Sequence, residues 1–300
     1  MAALKIALFV DDGPGDWHSR RLAKALGADG TDVVTTCLKL CAFDTASPTG
    51  LMIPGFDGIL PDGAFVRSIS HGSLEQITFR LGILHALRDS GVRVWNDARA
   101  IERCVDKSTA TFHFARAGLP TPHTITVESL ASARSRFADL KVPVVVKPLF
   151  GAQGAGLTRA ETQSSLPAPL EVGDVYYMQS FIAPRSVDHH EDWRVFVSAG
   201  RMVAAMARRS KAWITNVAQG AEPRAHQPDR EMSDLALAAA AALGADYAGV
   251  DIMRHVDGRL LVLEANSNPA WRGLQSVTDA PIAERLATDF LSAVKTKGAS

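Results

Sequence analysis

The segment Tyr247-Ala-Gly-Val-Asp-Ile-Met-Arg-His-Val-Asp-Gly-Arg-Leu-Leu-Val-Leu-Glu-Ala-Asn-Ser-Asn-Pro269 carries the strongest local signal in the chain. Two runs rich in Val, Ile, Leu and Met flank Asp257-Gly258. A two-residue hairpin turn needs φ > 0 at both central positions, which Asp-Gly supplies well, so the segment reads as a β-hairpin. With Asp257 and Gly258 as the loop, Val256 pairs with Arg259, Asp251 lies opposite Glu264, and Gly249 lies opposite Asn266. Period-two alternation then puts Asp251, Glu264 and Asn266 on one face, and Val250, Ile252, Leu263 and Ala265 on the other.

That register forces two carboxylates together. Cross-strand Cβ atoms are roughly 4.5–5.5 Å apart, and like charges facing each other are destabilising. At an effective dielectric of about 20, two unit charges at about 4 Å repel by about 4 kcal/mol. A hard divalent cation would offset this. Asp, Glu and an Asn carbonyl are the oxygen donors that suit Mg²⁺, which keeps several waters and takes its other ligands from substrate phosphates. The stretch therefore predicts a metal–nucleotide site. The alternative is that each carboxylate faces solvent separately beside a Lys or Arg, as most do.

Composition sets the wider frame. Three hundred residues with 47% hydrophobic content can bury a sizeable core, and that length suggests two or more lobes. Lys plus Arg equals Asp plus Glu at 32 each, which argues against a nucleic-acid footprint, since that needs a basic excess. Cys37, Cys41 and Cys104 form no metal-ligand pattern, and their odd number argues against a disulfide scaffold, so a cytoplasmic setting is expected. The N-terminal apolar run has no basic leader and ends in acidic residues and Gly-Pro. The longest apolar run, Leu235 to Ala245, is far below the ~20 residues that span a bilayer. No membrane partner is expected.

In chain order, Leu4–Val10 reads as a strand, the region around Trp17, Leu22, Ala25 and Leu26 as a helix, and Asp32–Thr36 as a second strand. This order opens a parallel α/β sheet, which binds ligands at the carboxyl ends of its strands. Asp11 and Asp12 lie at such an end, as site residues or as helix caps. Gly63–Arg67 would deliver Arg67 to the same edge, where its planar fork could grip a substrate carboxylate or simply face solvent. A helix from about Ser73 to Arg88 and a strand Val92–Trp95 follow. Asp106-Lys107 opens another helix that stops before Gly118-Leu-Pro-Thr-Pro122, where prolines push their predecessors out of the helical region and a second sheet system begins.

Val142–Lys147 is a strand carrying one lysine in an apolar run, followed at once by Gly151-Ala-Gln-Gly-Ala-Gly156. Glycines let backbone N–H groups approach a phosphate, and the lysine adds a point charge. Gly-Lys-Ser/Thr is missing, and a strand rather than a helix follows at Leu157–Arg159, so neither a P-loop nor a dinucleotide fingerprint is present. The loop reads as a lid between two strands, or as a plain turn. Asp174–Ile182 is a strand, and Asp192–Arg208 is a second hairpin turning at Ala199-Gly200. Its far ends gather Asp192, Arg194, Arg208, Arg209 and Lys211, a cluster suited to phosphate or carboxylate or to a charged, solvated sheet edge. A helix from about Asp229 to Leu243 closes at Gly244.

In this order, Asp106-Lys107, Val146-Lys147 with its glycine loop, Gln179–Ile182, Asp192-Trp-Arg194, Arg208-Arg209, Gly249–Ile252 and Glu264-Ala-Asn-Ser-Asn-Pro269 resemble the ATP-grasp superfamily. Within it they resemble the RimK-like branch of ATP-dependent carboxylate–amine ligases, many of which add glutamate. The resemblance covers most of the chain, and Glu-Ala-Asn-x-Asn-Pro after Val-Asp-Ile is its most specific part.

The resemblance implies an α/β fold, α+β in its later lobes. Its parts are a pre-domain over residues 1–105, a central lobe with the lid over 106–185, and a C-terminal lobe over 186–300. ATP would lie between the last two. Lys107, Lys147 and lid residues Gln153, Gly154 and Gly156 would meet phosphates, and Gln179, Ser180, Phe181 and Ile182 the adenine, with Asp192 and Asn216 close to the nucleotide. Asp251, Glu264 and Asn266 would hold Mg²⁺, with Mn²⁺ as a substitute. Arg194 and Arg209 would face the acyl phosphate or acceptor, with Arg67, Lys211 and Asn268 toward substrate. The chain departs from the family at Ser180, where a carboxylate usually reads adenine, at Ile214, usually basic, and at Gln219, usually arginine.

The implied reaction is phosphorylation of an acceptor carboxylate followed by displacement by an amine. The implied amine is glutamate, and the implied acceptor is a folate-like or pterin-type small molecule. A carrier-protein C-terminus is the alternative acceptor, and a homo-oligomer is compatible with the sequence. Rival readings are a non-catalytic ATP-binding regulator and a metal-dependent phosphohydrolase. The carboxylate and lysine set argues against the first, and a water-excluding lid against the second.

Overall fold

The computed structural model describes residues 3–11, 15–141, 143–151, 153–186 and 188–297; Asp12, proposed above as a site residue or a cap, lies outside them. The chain begins with β1 (Lys5–Phe9), α1 (Trp17–Leu26), β2 (Asp32–Thr36), a small hairpin of β3 (Ala42–Phe43) and β4 (Leu51–Met52), then β5 (Gly63–Val66), α2 (Leu74–Asp89) and β6 (Arg93–Trp95). Strands β2-β1-β5-β6 form a parallel sheet in that order. Both faces of β1 are covered: Ala7 and Phe9 join one core, Ile6 and Leu8 another. That is why its sequence is a continuous apolar run rather than an alternating one. The cap of α1 is Asp16, whose carboxylate accepts from the Ser19 N–H, while Asp11 is exposed. Ser73 and Gln76 close a reciprocal capping box at the start of α2.

Two helices, α3 (Ala98–Val105) and α4 (Lys107–Arg116), meet at Asp106, which ends the first and caps the second through the Ser108 and Thr109 N–H groups. Next come β7 (Thr124–Glu128), α5 (Leu130–Phe137), β8 (Val144–Lys147), β9 (Thr158–Ala160), α6 (Pro169–Val172) and β10 (Val175–Ser180). They build an antiparallel sheet, β7-β10-β8-β9, in which the glycine loop links two adjacent strands as expected.

The remaining elements are β11 (His190–Ser198), β12 (Arg201–Ser210), β13 (Glu222–Ala225), α7 (Arg230–Leu243), β14 (Tyr247–Arg254), β15 (Leu260–Asn266), α8 (Arg272–Gln275) and α9 (Ile282–Lys297). Their antiparallel sheet runs β13-β12-β11-β14-β15. One face packs Val195, Val250 and Val262 against α7 and Phe114 of α4. The other joins Phe196, Tyr247 and Trp271 to Ile6, Leu8 and Phe65 of the parallel sheet through Phe290 of α9. Among the described residues, no helix is long and apolar enough to cross a membrane.

The β14–β15 hairpin reaches the expected register by a different route. His255 pairs with Arg259, leaving a three-residue loop, and only Gly258 has positive φ (94°), not Asp257. Ile252 therefore faces Val262. A bulge between Asp251 and Ile252 then absorbs one residue of β15, so that Asp251 again faces Glu264 and Gly249 faces Asn266. The extra residue is Leu263. It turns toward the cleft instead of the core face assigned to it by simple alternation.

Candidate active site

A solvent-open cleft of about 890 Å³ lies between the second and third sheets. From one side β8, its loop and β10 present Lys147, Gly154 and Gln179; from the other β11, β12, β14 and β15 present Asp192, Arg208, Asp251 and Glu264. Val145, Met253 and Leu263 give it apolar walls. A second, open cavity of about 1600 Å³ adjoins it and shares Gln153, Arg208, Asn216 and Glu264. Arg194, Asn266, Asn268 and Arg272 line only the second.

Buried charge at the junction is organised as a chain of alternating guanidiniums and carboxylates, Arg194–Asp251–Arg208–Asp192. Arg194 donates Nε and Nη2 to the two oxygens of Asp251, each at 2.7 Å. Arg208 forks onto Asp192 and places Nη2 3.0 Å from Asp251 Oδ2. Thr215 Oγ1 also donates to Asp192 at 2.8 Å. Burial opposes ionisation of Asp251, but Arg194 and Arg208 outweigh it and hold its carboxyl well below the usual range. Burial likewise opposes the charge on Arg208, and its two carboxylates push it the other way, above its ordinary value. The repulsion expected between Asp251 and Glu264 is thus already offset on the Asp251 side by arginines. Half-buried Glu264 accepts from Asn266 Nδ2 at 3.1 Å and lies within side-chain hydrogen-bonding reach of Asp251.

Both lysines carry a charge that the cleft penalises. Lys147 is 9% exposed and donates to Gln179 Oε1 at 2.8 Å; burial lowers its pKa, with Glu264 opposing. Lys107 donates to the carbonyls of Leu149 and Gly151, and burial lowers its pKa too, again against Glu264. An anion between them would relieve that cost. The loop above is compact because its backbone is left-handed at Gln153, Gly154 and Gly156. A Cβ on Gly154 would sit 2.6 Å from Asn216 Oδ1, so only glycine lets the loop lie on Asn216.

At the β10 end, the Ser180 and Phe181 N–H groups are engaged by the carbonyls of His123 and Pro143. The Ile182 N–H has no protein partner among the described residues. Ser180 Oγ is buried without a hydrogen-bond partner among them. Phe181 is flanked edge-on by His190 and Trp213, with the Arg159 guanidinium 4.5 Å from its ring centroid.

The loop Asn266–Arg272 is gripped by the N-terminal sheet. Fully buried Asn96 donates to the carbonyls of Tyr247 and Ser267 and accepts from the Asp246 and Tyr247 N–H groups. Arg67 donates to the Asn268 carbonyl at 3.2 Å, with its Nη2 3.7 Å from Asp16. His18 Nε2 accepts from the Trp271 and Arg272 N–H groups, both at 3.1 Å, while Nδ1 lies 2.9 Å from Asp16. That pattern requires neutral His18. Burial lowers its pKa in agreement, with the charge of Arg67 adding to the effect.

A RimK-like ATP-grasp domain model matches residues 104–290. The chain belongs to this family. As a RimK-like ATP-grasp protein it is 36% identical over 240 residues to the tetrahydromethanopterin:alpha-L-glutamate ligase of Methanococcus maripaludis, covering 77% of this chain and 80% of the relative. It is 29% identical over 229 residues to the alpha-aminoadipate–LysW ligase LysX of Saccharolobus solfataricus, covering 73% and 80%. Its fold matches the ATP-grasp ligase PsnB, solved with a phosphomimetic variant of minimal precursor, Mg and ADP, at TM-score 0.74 with 19% identity, over 97% of this chain and 99% of that one. Family and ligase relatives together make this an ATP-dependent carboxylate–amine ligase.

Most residues singled out in this RimK-like sequence converge: Lys107, Lys147, Gln153, Gly154, Gln179–Ile182, Asp192, Asn216, Asp251 and Glu264 line the cleft, and Arg194, Asn266 and Asn268 the adjoining cavity. Gly156 shapes the loop, where a Cβ would come within 2.7 Å of Pro148. Arg209 pairs with Glu191 and, like Lys211 and Arg67, lines neither cavity. Thr215 and Arg272 line them without having been chosen, and Arg208, named only as a member of the hairpin's basic cluster, lines both. The opposition of Arg208 to Asp192 across the hairpin depends on a bulge between Phe196 and Val197.

Proposed function

We propose that this ligase joins an amino acid, glutamate, to the carboxylate of a small-molecule acceptor through an acyl phosphate, with ATP as the phosphoryl donor. The observation that carries the reading is the pair of adjoining cavities, one with lysines and carboxylates, the other with arginines and amides, meeting at Arg208 and Glu264. Relatives named alpha-L-glutamate ligases support the choice of amino acid, and those named for tetrahydromethanopterin support a pterin-type acceptor.

In this reading the adenine lies between Val145, Met253 and Leu263 and takes the free Ile182 N–H. Lys107 exchanges the Leu149 and Gly151 carbonyls for phosphate oxygens, and Lys147 adds its charge beside them. Two carboxylates and an amide are oxygen donors suited to a cation that draws its remaining ligands from water and phosphate, and Arg194, which holds both Asp251 oxygens, would have to share them with it. Asp251, Glu264 and Asn266 would therefore hold Mg²⁺, or Mn²⁺ in its place, which would neutralise phosphate charge. The acceptor oxygen bonds to the γ-phosphorus as the bond to ADP breaks. The amine nitrogen then bonds to the acyl carbon as phosphate departs, and the amine loses a proton. The chain contributes position and charge: Arg208 is fixed between the cavities by two carboxylates.

ADP release should require Mg²⁺-ATP, glutamate and an acceptor together, tested over a panel of carboxylates with mass spectrometry of the product. Turnover of ATP with no amine would overturn the reading in favour of hydrolysis. A peptide or carrier-protein C-terminus is a second reading, favoured by the partners named for LysX and PsnB.

A further inference from the structure

We propose that Arg272 binds the carboxylate of the incoming amino acid that takes no part in the reaction, and so sets the preference for amino acids over simple amines. The inference rests on the ligase reading above. Of the charged side chains lining the second cavity, Arg194 and Arg208 are already committed to Asp251 and Asp192, and Glu264 is anionic. Arg272 is exposed, and no carboxylate among the described residues pairs with it. The cavity therefore has one uncompensated guanidinium, whose planar fork matches a carboxylate.

Its position fits a group that stays unmodified. Arg272 lines only the second cavity, beside Pro269, Gly273 and Ser276, away from the lysines of the nucleotide cleft. An arginine clamped on the carboxylate to be phosphorylated would blunt that nucleophile, whereas one clamped on a spectator carboxylate orients the amine at no such cost. The residue is also well anchored, because its own N–H donates to His18 Nε2. Anchoring is through the backbone, so truncating the side chain leaves it in place.

The test compares wild type, Arg272→Ala and Arg272→Lys by initial rates of ADP release, with L-glutamate and with its α-amide as amine. Loss of a charge-assisted contact predicts a rise of about 10- to 100-fold in KM for glutamate in Arg272→Ala. Arg272→Lys should fall between, KM for ATP should stay within about twofold, and the α-amide, poor with wild type, should be indifferent to the substitution. An unshifted KM for glutamate in Arg272→Ala, with wild type active, would overturn this inference alone. No turnover of wild type with any amino acid would overturn it together with the ligase reading.

Discussion

Asp251→Asn should unfold the metal-free protein early, quite apart from any effect on turnover. Asp251 is 2% exposed and takes two 2.7 Å bonds from Arg194 and one 3.0 Å contact from Arg208. Neutralising it leaves Asp192 alone against two largely buried guanidiniums. Removing one partner of a buried ion pair costs about 3–5 kcal/mol. For a chain of this size that corresponds to a fall in Tm of about 5–8 °C. Glu264→Gln, at a half-buried site whose side-chain partner is Asn266, should cost less than about 1 kcal/mol. Thermal unfolding followed by circular dichroism in chelator separates the two, although both variants should lose turnover. Because the Asp251 carboxyl is held low, its contribution is complete above the ordinary carboxylate pKa and is lost only as pH falls below it. The gap between wild type and Asp251→Asn should therefore be flat over about pH 5–8 and close below about pH 4. Equal shifts for Asp251→Asn and Glu264→Gln, or a fall under about 2 °C for the former, would refute the reasoning.

Lys147→Met should leave metal-free stability unchanged or raised, since it removes a desolvated charge, while nucleotide affinity measured by calorimetry falls about 100-fold. Gly154→Ala meets both a backbone at φ 75° and a 2.6 Å contact with Asn216, so lid closure should weaken and KM for ATP should rise about tenfold, with circular dichroism unchanged. His18→Gln concerns pH. The folded pKa of His18 is lowered, so its contribution is complete above the unfolded value of about 6.5 and declines as pH falls below it. Wild-type Tm should drop between about pH 7 and 5.5, and the variant should show a shallower slope. The charges facing that ring are Asp16, Arg67 and Arg272.

Legibility followed the locality of the physics. Strands β1, β2 and β5 and helices α2, α4 and α7 were readable because caps, glycines and apolar runs act within a few residues. The β14–β15 pairing was readable at Asp251 and Glu264 through two compensating departures, a longer turn and a bulge. Leu263 exposes the compensation, since the bulge sends it into the cleft. The β11–β12 hairpin has a bulge as well, between Phe196 and Val197, and it brings Arg208 opposite Asp192. Counting evenly from Ala199-Gly200 puts Ala207 there and Arg209 on the face of Asp192. Bulges leave little trace in composition, which is why the buried arginine was harder to find than its neighbour. The edge strands β7 and β13 and the bridging helix α9 were not anticipated, because their places are fixed by distant partners.

The grip of Asn96, Arg67 and His18 on the Asn266–Arg272 loop bears on how such enzymes could be recombined. The carboxyl ends of β5 and β6 are occupied by the chain's own later backbone, so the N-terminal sheet acts as the jig in which the loop lining the second cavity is set. A chimaera that exchanges this sheet for a relative's would inherit a working loop only if the graft brings hydrogen-bonding side chains at these three positions. Its failures would surface as misplaced chemistry in a protein that still folds and still binds nucleotide.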